Sequence, residues 1–140
     1  MDADDCRWTA TLEDGGRQRL ARAGERAAAA HLVASHGLVV VATNVRVAVE
    51  DLRGELDVVA RSPRDGLLVV CEVKTRTCSP HAVEGEVLGA RQRARIRRMT
   101  AVLLADGTLR ARCVRFDLVT AAVPRGGAAP ATLAHLLGAW

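Results

Sequence analysis

Hydrophobic residues in this chain form blocks of two kinds, long stretches with helical spacing and short continuous apolar runs. The helical stretches cover residues 17–36, rich in alanine and ending at Gly37, and residues 87–105, ending before Asp106-Gly107. The short runs, which are typical of buried strands, cover residues 38–43, 56–60, 67–73 and 113–120. The pattern therefore predicts the order α-β-β-β-α-β.

Elements in this order predict an α/β fold in which a mixed β-sheet is flanked by helices. We expect residues 1–120 to form a single domain with a short polar N-terminal segment. Residues 121–130, rich in proline, glycine and alanine, predict a linker, and residues 131–140 a short C-terminal helix. Because no apolar run approaches the roughly 18 residues of a membrane span, and the first residues are acidic, we expect a cytoplasmic protein without a membrane partner.

The segment Ser62-Pro63-Arg64-Asp65-Gly66 is typical of a tight turn that closes a hairpin between the second and third strands. This turn sets a register in which Asp57 lies opposite Glu72. Because side chains alternate along a strand, Glu72 and Lys74 project from one face, which Asp57 would share. Two carboxylates directly opposite each other are destabilising unless a cation lies between them.

Carboxylate oxygens without nearby cysteine or histidine favour Mg²⁺ or Mn²⁺, and such ions commonly recruit substrate phosphates. We therefore expect a metal at Asp57 and Glu72, with Lys74 orienting a water or stabilising the transition state of phosphoryl chemistry. The alternative is a surface hairpin whose charges form ordinary salt bridges.

Five short motifs occur in order along the chain. They are Gly24-Glu25, Asn44-x-Arg46, Gly54-Glu55-Leu56-Asp57, Val70-Cys71-Glu72-Val73-Lys74-x-Arg76 and Arg115-Phe116-Asp117. This ordered set, between about residues 16 and 119, resembles the YraN-like family of predicted endonucleases in the PD-(D/E)xK nuclease superfamily. The resemblance implies a restriction-endonuclease-like core, related to Holliday-junction resolvases, that hydrolyses DNA with Mg²⁺ or Mn²⁺.

The resemblance also implies roles for individual residues. Asp57 and Glu72 would ligate the metal, the backbone carbonyl of Val73 would complete its shell, Lys74 would assist the nucleophilic water, and Glu25 would approach from the first helix. The implied partner is duplex or branched DNA, and the dimeric junction-resolving relatives suggest a homodimer. The chain departs from its relatives in having Arg91 where they commonly have lysine, and Cys71 where they have an aromatic residue.

Basic residues are unevenly distributed in a chain of net charge +4. Five arginines lie between residues 91 and 98, and helical spacing places Arg91, Arg95 and Arg98 on one flank, with Arg93 and Arg97 on the other. We expect the first three to contact DNA phosphates, the alternative being a solvated face. Further substrate contacts are expected from Asn44, Arg46 and Arg76, although Asn44 and Arg46 are equally compatible with a turn.

Several single residues leave two interpretations open. Glu25 lies on an apolar helix face and is expected to point inward, the alternative being a surface ion pair with Arg22. Gln92 interrupts a buried stripe and could reach the active site or lie at its margin. His31 is expected in the core or at its margin rather than as a ligand, and Cys78-x-x-His81 lacks the second ligand pair that would predict zinc.

The first functional hypothesis is thus a metal-dependent DNA endonuclease. The alternative is a nucleic-acid-binding module that has the nuclease fold but does not cleave efficiently. A third hypothesis is a protein-interaction domain in DNA repair or recombination, in which the basic helix is only a solvated surface.

Overall fold

Two helices and five strands make up the parts of the chain that the computed structural model describes, which are residues 14–77, 87–124 and 131–140. Neither of these helices is long and apolar enough to cross a membrane. In chain order the elements are α1 (Asp14–His36), β1 (Val39–Val49), β2 (Leu52–Arg61), β3 (Leu67–Arg76), α2 (Ala90–Ala105), β4 (Cys113–Ala122) and β5 (Thr132–Leu136).

The five strands form one mixed sheet in the order β1-β2-β3-β4-β5. Neighbouring strands are antiparallel except β3 and β4, which run parallel. A parallel pair needs a long crossover connection, and α2 lies within that connection. The predicted α/β class, mixed sheet and α-β-β-β-α-β order are confirmed, and the architecture is consistent with a restriction-endonuclease-like core.

The helices pack on opposite faces of the sheet because strand residues alternate between the two sides. Alternate positions of β3 illustrate this: Leu68 and Val70 pack with Ile96 of α2, whereas Val69 and Cys71 pack with Leu32 of α1. Each face therefore has its own apolar core, and the sheet is buried on both sides at its centre.

The predicted C-terminal helix over residues 131–140 is wrong, because Thr132–Leu136 form β5 and pair antiparallel with β4. Pairing supplies hydrogen-bond partners to the outer edge of β4, which a helix packed on the sheet would not. The chain end stays attached to β4, since Ala139 N–H donates to the Phe116 carbonyl at 2.7 Å and the Trp140 ring stacks on the Phe116 ring at 5.5 Å.

Other boundaries also differ from prediction. Ala121 and Ala122 continue β4 and so do not belong to the predicted linker, while residues 125–130 lie outside the described parts of the chain. The second helix starts at Ala90, not at residue 87, because its N-cap Gly89 has an extended conformation. The first strand continues to Val49, so the Asn44-x-Arg46 motif lies inside β1 rather than after it.

Candidate active site

The β2–β3 hairpin has the predicted register. Val58 pairs with Cys71 and Arg61 with Leu68, and the Ser62 N–H donates to the Leu67 carbonyl at 2.9 Å. The antiparallel pairing of β2 with β3 ends at Val58–Cys71. The expected direct pairing of Asp57 with Glu72 is therefore wrong. The strands separate at this point, which opens a gap for side chains.

At Asp57 the side chains of β2 change from one face of the sheet to the other. Leu56 packs in the core on the α2 side, whereas Val58, two residues later, packs on the α1 side. Residues two apart in a regular strand share a face, so the strand is twisted at Asp57. The Asp57 Oδ2 accepts a hydrogen bond from the Val73 N–H at 2.9 Å, which ties the carboxylate to β3. Asp57 can consequently reach groups on both sides of the sheet.

On the α1 side Asp57 meets two further carboxylates. One carboxylate oxygen from each of Glu25, Glu55 and Asp57 lies within 4.8 Å of the others. Glu55 belongs to the Gly54-Glu55-Leu56-Asp57 motif but was not predicted as a site residue. The i, i+2 spacing of Glu55 and Asp57 in a strand was the signal that could have identified it.

Asn44 and Arg22 hold these carboxylates in place. The Asn44 Nδ2 donates to Glu25 Oε2 at 2.7 Å and to Glu55 Oε1 at 2.8 Å. The Arg22 guanidinium lies 3.0 Å from Glu25 Oε2 and 3.5 Å from Glu55 Oε1. Asn44 has a φ of 52°, a left-handed conformation that asparagine tolerates better than most residues. Both interpretations of Glu25 therefore hold, since it points inward and also pairs with Arg22.

Glycine at position 24 allows α1 to approach β3 closely. Gly24 is buried, and a Cβ at this position would overlap Thr75 Oγ1 and lie 2.9 Å from Thr75 Cβ. A larger residue would push the helix away from the strand. The small residue next to Glu25 thus brings that carboxylate to the sheet.

On the α2 side lies Glu72, which is only 9% exposed. Burial, reinforced by the nearby Asp57 carboxylate, raises the pKa of Glu72 to about 8, with Lys74 acting in the opposite direction. Burial also raises the pKa of Asp57 to about 6, although the hydrogen bond from Val73 opposes this. The Asp57 carboxylate disfavours ionisation of Glu72, so in the metal-free protein the proton belongs mainly to Glu72.

Gln92 connects Glu72 to Lys74. Its Nε2 donates to Glu72 Oε1 at 2.9 Å, and its Oε1 accepts from Lys74 Nζ at 3.3 Å. Of the two interpretations left open for Gln92, the structure supports the one in which it reaches the site. Glu72, Gln92 and Lys74 form one hydrogen-bonded group, which lies beside Asp57 at the opening between β2 and β3.

A family comparison bears on this group. The model of the family described as "Uncharacterised protein family UPF0102" matches residues 24–121. This chain belongs to UPF0102. Similar members include a protein of Frankia alni, 39% identical over 89% of this chain and 96% of the relative, and one of Beutenbergia cavernae, 43% identical over 82% and 90%. A member from Moorella thermoacetica is 36% identical over 74% of this chain and 80% of the relative.

The resemblance to the YraN-like family, which is UPF0102, is thereby confirmed. The matched segment begins at Gly24 and contains Glu25, Asp57 and the whole hydrogen-bonded group of Glu72, Lys74 and Gln92. It ends at Ala121, before β5. The C-terminal strand is therefore outside the segment that the UPF0102 model matches.

The predicted DNA-contacting arginines of α2 lie beside this group. Arg91, Arg95 and Arg98 line one open surface depression together with Gln92 and Arg53. Arg98 also lies 3.6 Å from Asp51. The predicted division of the helix into two flanks is confirmed for these residues.

The other basic and polar residues that the sequence singled out lie elsewhere. Arg97, on the other flank of α2, lies with its guanidinium carbon 5.0 Å from the centre of the Phe116 ring. Arg46 is 85% exposed and lies 3.7 Å from Glu55, while Arg76 is half-buried at the end of β3. Asn44 uses its amide for two carboxylates, so its observed role is to position them.

Proposed function

We propose that this UPF0102 protein is a metal-dependent endonuclease that hydrolyses phosphodiester bonds in duplex or branched DNA. One observation carries the proposal: the buried carboxyl groups of Asp57 and Glu72, from two diverging strands, repel each other when ionised, and Gln92 links Glu72 to the Lys74 ammonium. Paired carboxylates with raised pKa values in a cleft, next to a cation, are a common feature of catalytic sites.

The donor atoms fit a hard divalent cation. Asp57 and Glu25 belong to one cluster of carboxylate oxygens, Glu72 adds a carboxyl group beside Asp57, and this set contains no cysteine or histidine. In a strand the backbone N–H and C=O of one residue project to the same side. The Val73 N–H donates to Asp57, so the Val73 carbonyl also faces Asp57. These four groups would hold Mg²⁺ or Mn²⁺, which prefer oxygen ligands.

The repulsion between Asp57 and Glu72 supports the same assignment. The free protein keeps a proton on Glu72 because two carboxylates this close cannot both ionise cheaply. A bound Mg²⁺ would replace that proton, neutralise charge on the scissile phosphate and lower the pKa of a water molecule.

Lys74 and Gln92 would orient the reacting groups. The half-buried Lys74 side chain is held at 3.3 Å by Gln92, so its ammonium has little freedom to move away from Glu72. A cation in this position can orient an attacking water and stabilise negative charge that develops on the phosphate. Gln92 hydrogen-bonds to Glu72 and to Lys74, and acts as a positioning residue.

The arginine-lined depression provides the DNA-binding surface of this proposal. Arg91 and Arg95 are exposed and lie next to Gln92, so a DNA backbone bound there would run past Glu72 and Lys74. Cations placed along one track neutralise successive phosphates without reading the sequence. The depression therefore supports binding by shape and charge rather than base recognition.

The test is cleavage of labelled linear, flap and four-way-junction DNA with Mg²⁺ or Mn²⁺. Wild type should cut, whereas Asp57→Asn and Lys74→Ala should each lose on the order of 100-fold or more in rate while still binding DNA. Glu50→Gln, at an exposed carboxylate outside the group, is the matched control and should cut like wild type.

A second candidate, the non-cleaving DNA-binding module, is favoured by the internal pairing of Glu25 and Glu55 with Arg22 and Asn44. If every protein binds DNA and none cuts any of the substrates with either metal, the endonuclease proposal fails and this second function replaces it.

A further inference from the structure

Three histidines from distant parts of the sequence meet at the side of the sheet that α1 covers. His31 and His36 lie at the C-terminal end of α1, and His135 lies in β5. The His135 Nδ1 is 3.1 Å from His31 Nε2 and 3.2 Å from His36 Nε2, and the three ligand atoms all lie within 4.8 Å of one another. His31 is partly buried, as expected of a residue at the margin of the core, and β5 brings the His135 ring against it.

A buried carboxylate sets the orientation of the His135 ring. His135 Nε2 lies 2.8 Å from Asp117 Oδ2, and their side chains are 6% and 0% exposed. Asp117 is a carboxylate that also accepts two hydrogen bonds from Arg115, at 2.8 and 2.9 Å, and one from the Gly138 N–H at 3.0 Å. Since Asp117 can only accept, the proton lies on His135 Nε2, and Nδ1 presents its lone pair to the other two rings.

Hydrogen bonds among the three rings satisfy only part of the bonding capacity of their nitrogens. The single lone pair on His135 Nδ1 faces two nitrogens, and only one of them can donate to it along the lone-pair direction. One cation at the point where the three nitrogens converge would accept a lone pair from each ring. The carboxylate–histidine contact is the arrangement that commonly supports a metal-bound histidine from behind.

We propose that His31, His36 and His135 bind one Zn²⁺ ion, with Asp117 positioning His135. Zinc–nitrogen bonds of about 2.0–2.1 Å in a tetrahedral site place neighbouring nitrogens about 3.3–3.4 Å apart, close to the 3.1 and 3.2 Å observed here. Imidazole ligands favour zinc and similar transition metals over Mg²⁺. The site is thus chemically distinct from the carboxylate site between β2 and β3.

The zinc ion would join α1 directly to β5. Two ligands come from α1 and the third from β5, which lies outside the segment matched by the UPF0102 model. His36 is exposed, so the fourth coordination position would face solvent and take a water. The expected consequence is that zinc stabilises the docking of the C-terminal strand.

The experiment is a calorimetric titration of Zn²⁺ into the full-length, chelator-treated protein, with a large excess of Mg²⁺ present. We expect one ion per chain, with affinity weakened on the order of 100-fold in His36→Ala and His135→Ala and about 10–100-fold in Asp117→Asn. His36→Ala is the decisive variant, because this side chain is exposed and its loss should leave the fold intact. Co²⁺ should give the visible absorption of a tetrahedral centre in wild type and not in His36→Ala.

The fourth histidine of the sequence, His81, supplies the matched control. Cys78 and His81 lie outside the described residues, and His81→Ala should bind zinc like wild type. Absence of zinc binding in wild type, equal affinity in His36→Ala, or loss of binding only in His81→Ala would each overturn the proposal. None of these results depends on whether the protein cleaves DNA.

Discussion

The buried carboxyl of Glu72 makes a quantitative prediction about stability in the absence of divalent cations. The pKa of Glu72 is raised to about 8 by burial and by Asp57, from an ordinary value of 4.5. Between these two values the unfolded chain loses its proton first, so the folded state binds more protons and its stability falls as pH rises. The substitution Glu72→Gln removes this ionisation while keeping the shape and an oxygen that can accept from Gln92.

The size of the effect follows from the shift. A pH near 7 is about 2.5 units above the pKa of Glu72 in the unfolded chain. At about 1.4 kcal/mol per unit, the ionisable carboxyl lowers the free energy of unfolding by ~3 kcal/mol. At about pH 4, where both states are largely protonated, the cost falls to a few tenths of a kcal/mol. We expect Glu72→Gln to be equal to wild type in acid and more stable by ~3 kcal/mol at neutral pH.

The assay is urea unfolding of both proteins in EDTA, with the difference in unfolding free energy measured at several pH values from 4 to 8. Glu50→Gln, at an exposed carboxylate, should show a difference near zero throughout. Adding Mg²⁺ at about 100 times its dissociation constant should stabilise wild type by ~2.7 kcal/mol and Glu72→Gln by less. A difference between wild type and Glu72→Gln that stays constant with pH would refute the assignment of a proton-retaining carboxyl at this position.

Three further predictions concern other parts of the molecule. Gln92→Ala should slow single-turnover DNA cleavage about 10–100-fold with little loss of DNA affinity, because Gln92 holds Glu72 and Lys74 in place. A cleavage rate equal to that of wild type would contradict this positioning role. Arg95→Ala should reduce the slope of log affinity against log salt by about 0.9, measured by fluorescence anisotropy, whereas Arg97→Ala on the other flank should leave it unchanged. Gly24→Ala should destabilise the fold by about 1–3 kcal/mol in urea unfolding, because the added Cβ overlaps Thr75. Increased stability, the usual effect of alanine in a helix, would show that α1 can move away from β3 freely.

The secondary structure was largely predictable because its signals are local. Continuous apolar runs predicted β2, β3 and β4, since strands buried on both faces need apolar residues at every position. The Ser62–Gly66 turn predicted the hairpin register, which then placed Asp57 and Glu72 near each other. The C-terminal strand was not predictable in the same way, because a five-residue segment such as Thr132–Leu136 does not distinguish a strand from a helix by periodicity.

The candidate active site was predicted only in part. Carboxylate chemistry and strand alternation identified Asp57, Glu72 and Lys74 from the sequence, and family resemblance added Glu25. Gln92 remained undecided, because contact between α2 and β3 depends on how the helix packs on the sheet. Glu55 was missed, although its i, i+2 spacing from Asp57 in β2 was a signal that the two carboxylates lie close together.

The sequence by itself determined the order of the first six elements, the register of one hairpin and the pair of carboxylates that it brings together, since each depends on residues close along the chain. Only the tertiary structure decided which side chains complete the two sites. His31 and His135 are separated by 104 residues, and their contact exists because β5 pairs with β4 next to α1. A contact over such a distance depends on the closure of the whole sheet, and no local propensity encodes it.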